Sequence, residues 1–131
     1  MDKYDKINII NFDAMYYCAN EKNIKEQVRN SKRYTFIKGN RCSFDMVSHI
    51  INSLKPTHII HFAAQSHVQT SFTKSLSFTQ DNIVGTHTLL ECCRLYGKIK
   101  KYIHVSTDEV YGESLIEIEE KSKTEQSILC P

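Results

Sequence analysis

Four short runs of this chain, INIINF (residues 7–12), RYTFIKG (33–39), THIIHFAA (57–64) and KYIHVS (101–106), are rich in apolar residues and lack a clean alternation with polar ones. Runs of this kind, four to eight residues long and separated by polar stretches, read as strands buried on both faces. Between the second and third lies SFDMVSHIINSL, in which Ser43 stands as N-cap and Met46, Val47, Ile50, Ile51 and Leu54 fall along one helical face. Pro56 closes that helix. A longer helical pattern runs from Leu76 to Tyr96, with Ile83, Val84, Leu90 and Cys93 as inward residues and Gly97 as its end. Buried strands joined by helices predict an α/β doubly wound parallel sheet with helices on both faces.

The composition fits one such domain: 131 residues, 40% hydrophobic and 24% charged, with a net charge of +2 from 17 basic and 15 acidic residues. There is no basic block of the kind that neutralises phosphates along a duplex, so no nucleic-acid partner is expected. The start, MDKYDKINII, carries charges where a signal peptide has its apolar region, and no apolar run has membrane-spanning length. The expected location is the cytoplasm, with no membrane partner. Five cysteines form no C-x-x-C pair and leave an odd one over, which suits reduced thiols and not a zinc site or a disulfide framework.

In doubly wound sheets, ligands gather at the carboxyl ends of the strands. Asp13 stands just past the first strand, where a carboxylate can accept both hydroxyls of an adenosine ribose; a turn-closing aspartate is the alternative. After the third strand, Ala63 and Ala64 leave the backbone bare enough for a flat ligand, although small residues also pack helices against sheets. After the fourth comes STDEVYG (Ser106 to Gly112), a hydroxyl pair followed by two adjacent carboxylates. Consecutive side chains on a strand point to opposite faces, so Asp108 and Glu109 can serve one ligand only if the strand ends by about Ser106.

HFAAQSHV (His61 to Val68), DNIVGTHTLLE (Asp81 to Glu91) and STDEVYG resemble, in order and separation, the extended short-chain dehydrogenase/reductases, and among them the dTDP-glucose 4,6-dehydratases. With Asp13 and the tail TEQSILCP the resemblance covers nearly the whole chain. It implies NAD as cofactor and a nucleotide-linked hexose such as dTDP-glucose as substrate: oxidation at C4, elimination of water across C5 and C6, and reduction at C6. It implies Glu109 as the base for the C5 proton, Asp108 as the acid for the departing C6 hydroxyl, and Thr107 as a hydrogen-bonding partner near C4. An acid role asks Asp108 to keep its proton near neutrality, which desolvation and a neighbouring carboxylate favour. On the cofactor side the resemblance places Asp13, Asn40, Ala63, Ala64, Ser66, Asn82 and Ser106, with His67 toward the sugar. Thr86 matches the family as well.

Some positions depart from the family. Asn40 and Arg41 stand where it carries Asp and Ile, and Gln69 replaces an Asp. Gly39, Gly85, Gly97 and Gly112 are too scattered to form the family's G-x-x-G-x-x-G pyrophosphate turn. The family's Tyr-x-x-x-Lys helix is not found either. Tyr34 to Lys38 has the spacing on a strand, where it spans roughly 13 Å, and Tyr96 to Lys100 straddles Gly97. The sequence therefore predicts a partial NAD(P)-binding Rossmann-like domain over residues 1–131, without the first strand, its glycine loop or a sugar-nucleotide domain, and inactive alone. Another NDP-sugar dehydratase or epimerase fragment, and a non-catalytic interaction module, are the alternatives. Unpaired strand edges in such a domain predict self-association or a complementing polypeptide.

Overall fold

In the computed structural model, which describes residues 6–112, the elements run in the expected alternation. Strand β1 is Ile9–Asp13, followed by the short helix α1 (Glu26–Arg29) and β2 (Tyr34–Lys38). Helix α2 is Phe44–Leu54 and β3 is His58–His61. Then come α3 (Val68–Thr73), α4 (Ser75–Phe78), a π-helical turn (Thr79–Val84), α5 (Gly85–Tyr96) and β4 (Lys101–His104).

The strands form two separate parallel pairs. β1 pairs with β2, Ile9 opposite Tyr34 and Asp13 opposite Lys38, and β3 pairs with β4, His58 opposite Lys101 and His61 opposite His104. In a sheet of order 3-2-1-4-5-6 these are the 3-2 and 4-5 pairs, and the position between them is not filled by any described residue. This is the partial doubly wound sheet that the strand pattern predicts.

Both pairs rest on one helical layer. α2 and α5 pack together through Val47, Ile51, Cys92 and Cys93, and Phe12 of β1, Ile59 of β3 and Tyr102 of β4 lie against that cluster. Val47 and Ile51 are the inward pair of α2 as predicted, while Met46 and Leu54 are about two-fifths exposed. Ser43 occupies the N-cap position with extended backbone, but its side chain makes no capping hydrogen bond. At the other end Lys55 takes the left-handed conformation (φ 50°) ahead of Pro56, and the helix stops. Gly97 ends α5 in the same region (φ 67°), where a residue without Cβ is unstrained.

The helix predicted over Leu76 to Tyr96 is broken into three pieces, and its inward face changes accordingly. Ile83, Val84 and Leu90 are exposed, and the buried positions are Asp81, Gly85, Cys92 and Cys93. A π turn inserts extra backbone into the helix and shifts the phase of the 3.6-residue stripe, so a regular helical wheel assigns the wrong face there. Among the described residues no helix is long and apolar enough to cross a membrane.

Candidate functional site

β4 ends at His104, two residues before Ser106, and residues 108–111 form a 3₁₀ turn. The condition for Asp108 and Glu109 to serve one ligand is thus met by the backbone. Thr107 Oγ1 donates to Asp108 Oδ1 at 3.0 Å, and both residues are exposed. The desolvation that an acid role asks of Asp108 is not supplied by the described residues.

Asp13 is the last residue of β1, one position earlier than expected. Its Oδ1 accepts the N–H of Met15 at 2.6 Å, and Met15 has φ 57°, so the carboxylate closes a tight turn at the strand end. At the end of β2, Asn40 Oδ1 accepts the N–H of Cys42 at 2.8 Å, and its Nδ2 donates to the Tyr16 hydroxyl at 3.3 Å. Ala63, Ala64, Ser66 and His67 are exposed in the segment between β3 and α3, and His67 caps α3 by accepting from Thr70 N–H at 3.3 Å.

Asn82 fastens that segment. Its Oδ1 accepts Gln65 N–H at 2.7 Å and its Nδ2 donates to Gln65 C=O at 2.9 Å. The neighbouring Asp81 is buried at 6% exposure. Its Oδ1 accepts the Tyr16 hydroxyl at 3.0 Å and its Oδ2 accepts Gln65 Nε2 at 2.8 Å, while the Arg41 guanidinium donates to its backbone carbonyl. Burial, and then the Asp81 carboxylate, hold the Tyr16 phenol above its ordinary pKa. One residue thus joins three segments, its carboxylate holding the turn after β1 and the segment after β3 and its backbone carbonyl holding the turn after β2. All three strands deliver their carboxyl ends to one place.

Sequence reasoning did not find this junction, since Asp81, Tyr16, Arg41 and Gln65 are far apart in the chain and each alone looks like a solvated polar residue. It counted His61 in the third strand and in the family-like HFAAQSHV, but gave it no role of its own. His61 is buried, its Nε2 is 3.0 Å from Thr86 Oγ1, and its ring lies 5.0 Å from that of His104. Burial, with help from Arg41 and His104, lowers its pKa to about 4. Thr86, expected as a family match, serves as its partner.

Parallel strands over a helical layer, with polar groups meeting at the strand ends, define a Rossmann-like α/β domain of the doubly wound class. The chain belongs to the GDP-mannose 4,6 dehydratase family, whose model matches residues 1–131. It is 46% identical over 111 residues to a trifunctional UDP-glucose 4,6-dehydratase, 3,5-epimerase and reductase of Arabidopsis thaliana, covering 85% of this chain and 16% of that protein. It is 42% identical over 136 aligned positions to the dTDP-D-glucose 4,6-dehydratase of Dictyostelium discoideum, covering 98% of this chain and 31% of that protein. The crystal structure of dTDP-glucose 4,6-dehydratase from Bacillus anthracis in complex with NAD superposes with a TM-score of 0.80 at 32% identity, over 99% of this chain and 38% of that one. The chain therefore spans well under half the length of these relatives.

Proposed function

We propose that this chain forms part of a nucleotide-sugar 4,6-dehydratase, holding the adenosine side of NAD and carrying the acid/base pair of the elimination, with a nucleotide-linked hexose such as dTDP-glucose as substrate. The observation that carries the reading is the position of Thr107, Asp108 and Glu109: a turn directly after β4, on the same side of the sheet as the ends of β1, β2 and β3.

The residues at those ends fit the adenosine half of the cofactor. Asp13 sets a carboxylate at the end of β1, Asn40 a polar amide at the end of β2, and Ala63, Ala64 and Ser66 a nearly bare backbone after β3 that Asn82 fastens; Ser106 follows β4. These residues would hold the adenosine half of NAD, which would supply the hydride acceptor for C4 and the donor for C6. The charge of Asp13 disfavours a 2′-phosphate and so selects NAD over NADP. His67, exposed in the segment after β3, is assigned to the sugar side.

Glu109 removes the C5 proton, the electron pair of the C5–H bond forms the C5–C6 double bond, and the C6 hydroxyl leaves as water with the proton given by Asp108. Thr107 hydrogen-bonds the oxygen at C4, and its hydroxyl also holds the Asp108 carboxyl in place. Asp108 is exposed among the described residues and open to a bound substrate. The domain assignment is a partial dinucleotide-binding domain over residues 1–131, and a cytoplasmic location belongs to the same proposal.

The test grafts residues 6–112 into the corresponding region of a related dehydratase. In the active chimera, Glu109→Gln and Asp108→Asn should each slow elimination by a factor on the order of 10² or more. NADH formation at C4 should continue in a single turnover. Loss of that first half-reaction in both variants would overturn the assigned roles.

A further inference from the structure

The hydrogen bonds that link Asn40, Tyr16 and Asp81 run in one direction, and a backbone group sets it. Cys42 N–H donates to one amide atom of Asn40 at 2.8 Å, and a backbone N–H can only donate, so that atom is Oδ1. Nδ2 therefore faces Tyr16 and donates to its hydroxyl at 3.3 Å. That hydroxyl donates onward to Asp81 Oδ1 at 3.0 Å, and a carboxylate can only accept. Gln65 Nε2 holds the other carboxylate oxygen at 2.8 Å. Burial, and then Asp81, raise the Tyr16 pKa, so the phenol keeps the proton that it gives.

A flipped Asn40 amide is excluded at both contacts. It would set Nδ2 against Cys42 N–H, donor against donor, and Oδ1 against a hydroxyl whose only proton goes to Asp81. Asn40 is nevertheless exposed, and it follows the end of β2, beside the end of β1, where Asp13 is in register with Lys38. One N–H and one lone pair of its amide stay open to a ligand, in an order that the two contacts fix. A donor beside an acceptor matches the edge of a 6-aminopurine, whose amino group donates and whose neighbouring ring nitrogen accepts. A 6-oxopurine presents the reverse order, at its oxygen and its N1–H, and needs the amide turned over. With the ribose held at Asp13, the base does not turn to compensate.

We propose that Tyr16 and Asp81 are positioning residues that fix the Asn40 amide so that the cofactor site accepts a 6-aminopurine base and refuses a 6-oxopurine. The proposal rests on the adenosine reading above and adds to it the residues that select the base. Asp81 acts through Tyr16, and neither has to touch the base. The Asp that the resembled family carries at position 40 has acceptors only, so the fixed order of donor and acceptor belongs to this chain's own amide.

The experiment titrates the full 131-residue chain, isotope-labelled for NMR, with NAD and with nicotinamide hypoxanthine dinucleotide, which differs from NAD at the 6-position of its purine. NAD should bind more tightly by roughly tenfold or more, the usual worth of a two-point base contact, and Asn40→Ala should remove that preference. Tyr16→Phe takes away the acceptor of Nδ2. Asp81→Asn keeps the shape but lets position 81 donate to the phenol, which then turns its proton toward Asn40. Each should cut the preference by roughly fivefold or more, chiefly through tighter binding of the hypoxanthine dinucleotide, whereas simple loss of stability weakens both ligands alike. Before any ligand is added, the two Nδ2 protons of Asn40 should be well separated in the parent and closer together in both variants. Tyr16 is 40% exposed, so Tyr16→Phe supplies the readout where Asp81→Asn fails to fold. Equal binding of the two dinucleotides by the parent, or an unchanged preference in the variants, would overturn the proposal, while shifts at Asp13 and Ala63 would keep the adenosine reading. Binding of neither dinucleotide, with no shift at Asp13 or Ala63, would remove that reading and the base selection with it.

Discussion

Asn82 and Gln65 hold each other at two points, the amide oxygen of Asn82 accepting the N–H of Gln65 at 2.7 Å and the amide nitrogen donating to its C=O at 2.9 Å. The donor and the acceptor sit on one planar group, so only an amide matches both. Asn82→Asp keeps the acceptor but sets a carboxylate oxygen against a carbonyl; Asn82→Ala loses both contacts. Each should cost about 1–3 kcal/mol in urea unfolding. Amides of residues 63–66 should also exchange faster. Asn82→Asp as stable as the parent would show that the clasp does not hold the segment.

Asp81 is the node on which three strand ends depend. Asp81→Ala leaves the Tyr16 hydroxyl and the Gln65 amide without their acceptor and opens a buried polar hole, so a loss of about 2–4 kcal/mol is expected. Because that carboxylate helps to raise the Tyr16 phenol, the same variant should titrate Tyr16 at lower pH, read from its ultraviolet absorbance. An unchanged Tyr16 titration would mean that burial, with Cys42, accounts for the raised value without Asp81.

The contrast between these residues and the strands explains what could be read from the chain alone. INIINF, THIIHFAA and KYIHVS announce strands by their short apolar runs, although only one face meets the α2/α5 layer and Ile60 and Ile103 are open. Val47 and Ile51 announce the core face of α2 because that cluster demands apolar residues. The separation into two pairs was legible too, since strand order is a property of the fold class. Asp81 was not, because its meaning lies in Tyr16, 65 residues away, and in Gln65, 16 residues away. The π turn hid it further, since Ile83 and Leu90 continue an apolar helical stripe that the backbone then rotates out to solvent. At the strand ends, Asp13 and Asn40 were legible as polar groups, but their hydrogen bonds to Met15 and Cys42 belong to turns that only the folded backbone defines.

Stability should fall as the pH drops through the range set by His61. Burial, Arg41 and His104 lower its pKa from 6.5 to about 4, so the folded protein keeps the ring neutral where the unfolded chain has begun to take a proton. The contribution is complete above about pH 6.5 and is lost progressively as pH falls toward 4, with a ceiling of about 3 kcal/mol for a shift of that size. Urea midpoints from pH 7.5 to 4.5 should show the decline, and His61→Gln should flatten it. An equal slope in the variant would assign the acid sensitivity to other groups.

Tyr102 offers a stabilising change. Its ring rests on the α2/α5 cluster, but its hydroxyl is buried with no hydrogen-bond partner among the described residues, and burial pushes its pKa up to about 12. Tyr102→Phe keeps the ring and removes the unsatisfied oxygen, so stability should rise by about 1 kcal/mol, seen as a higher melting temperature. A lower melting temperature would reveal a partner for the hydroxyl.

Gly85 opens α5 directly beneath Arg41. A Cβ at this position would lie 2.8 Å from Arg41 Nε, 2.9 Å from its Cγ and 3.1 Å from Cys42 Sγ, all closer than ordinary contact. On helix propensity alone Gly85→Ala should stabilise by about 1 kcal/mol. Against that gain, the methyl displaces Arg41 and breaks its hydrogen bond to the Asp81 carbonyl, in a place where Arg41 Nε is already buried without a partner among the described residues. Overpacking and the lost charged hydrogen bond together cost about 2–4 kcal/mol, so the net effect should be a loss of about 1–3 kcal/mol. The two contributions separate in a double-mutant cycle. With Arg41→Ala already present the space is free, and adding Gly85→Ala should then be neutral or stabilising. Destabilisation of the same size in both backgrounds would show that Arg41 is not what keeps position 85 a glycine.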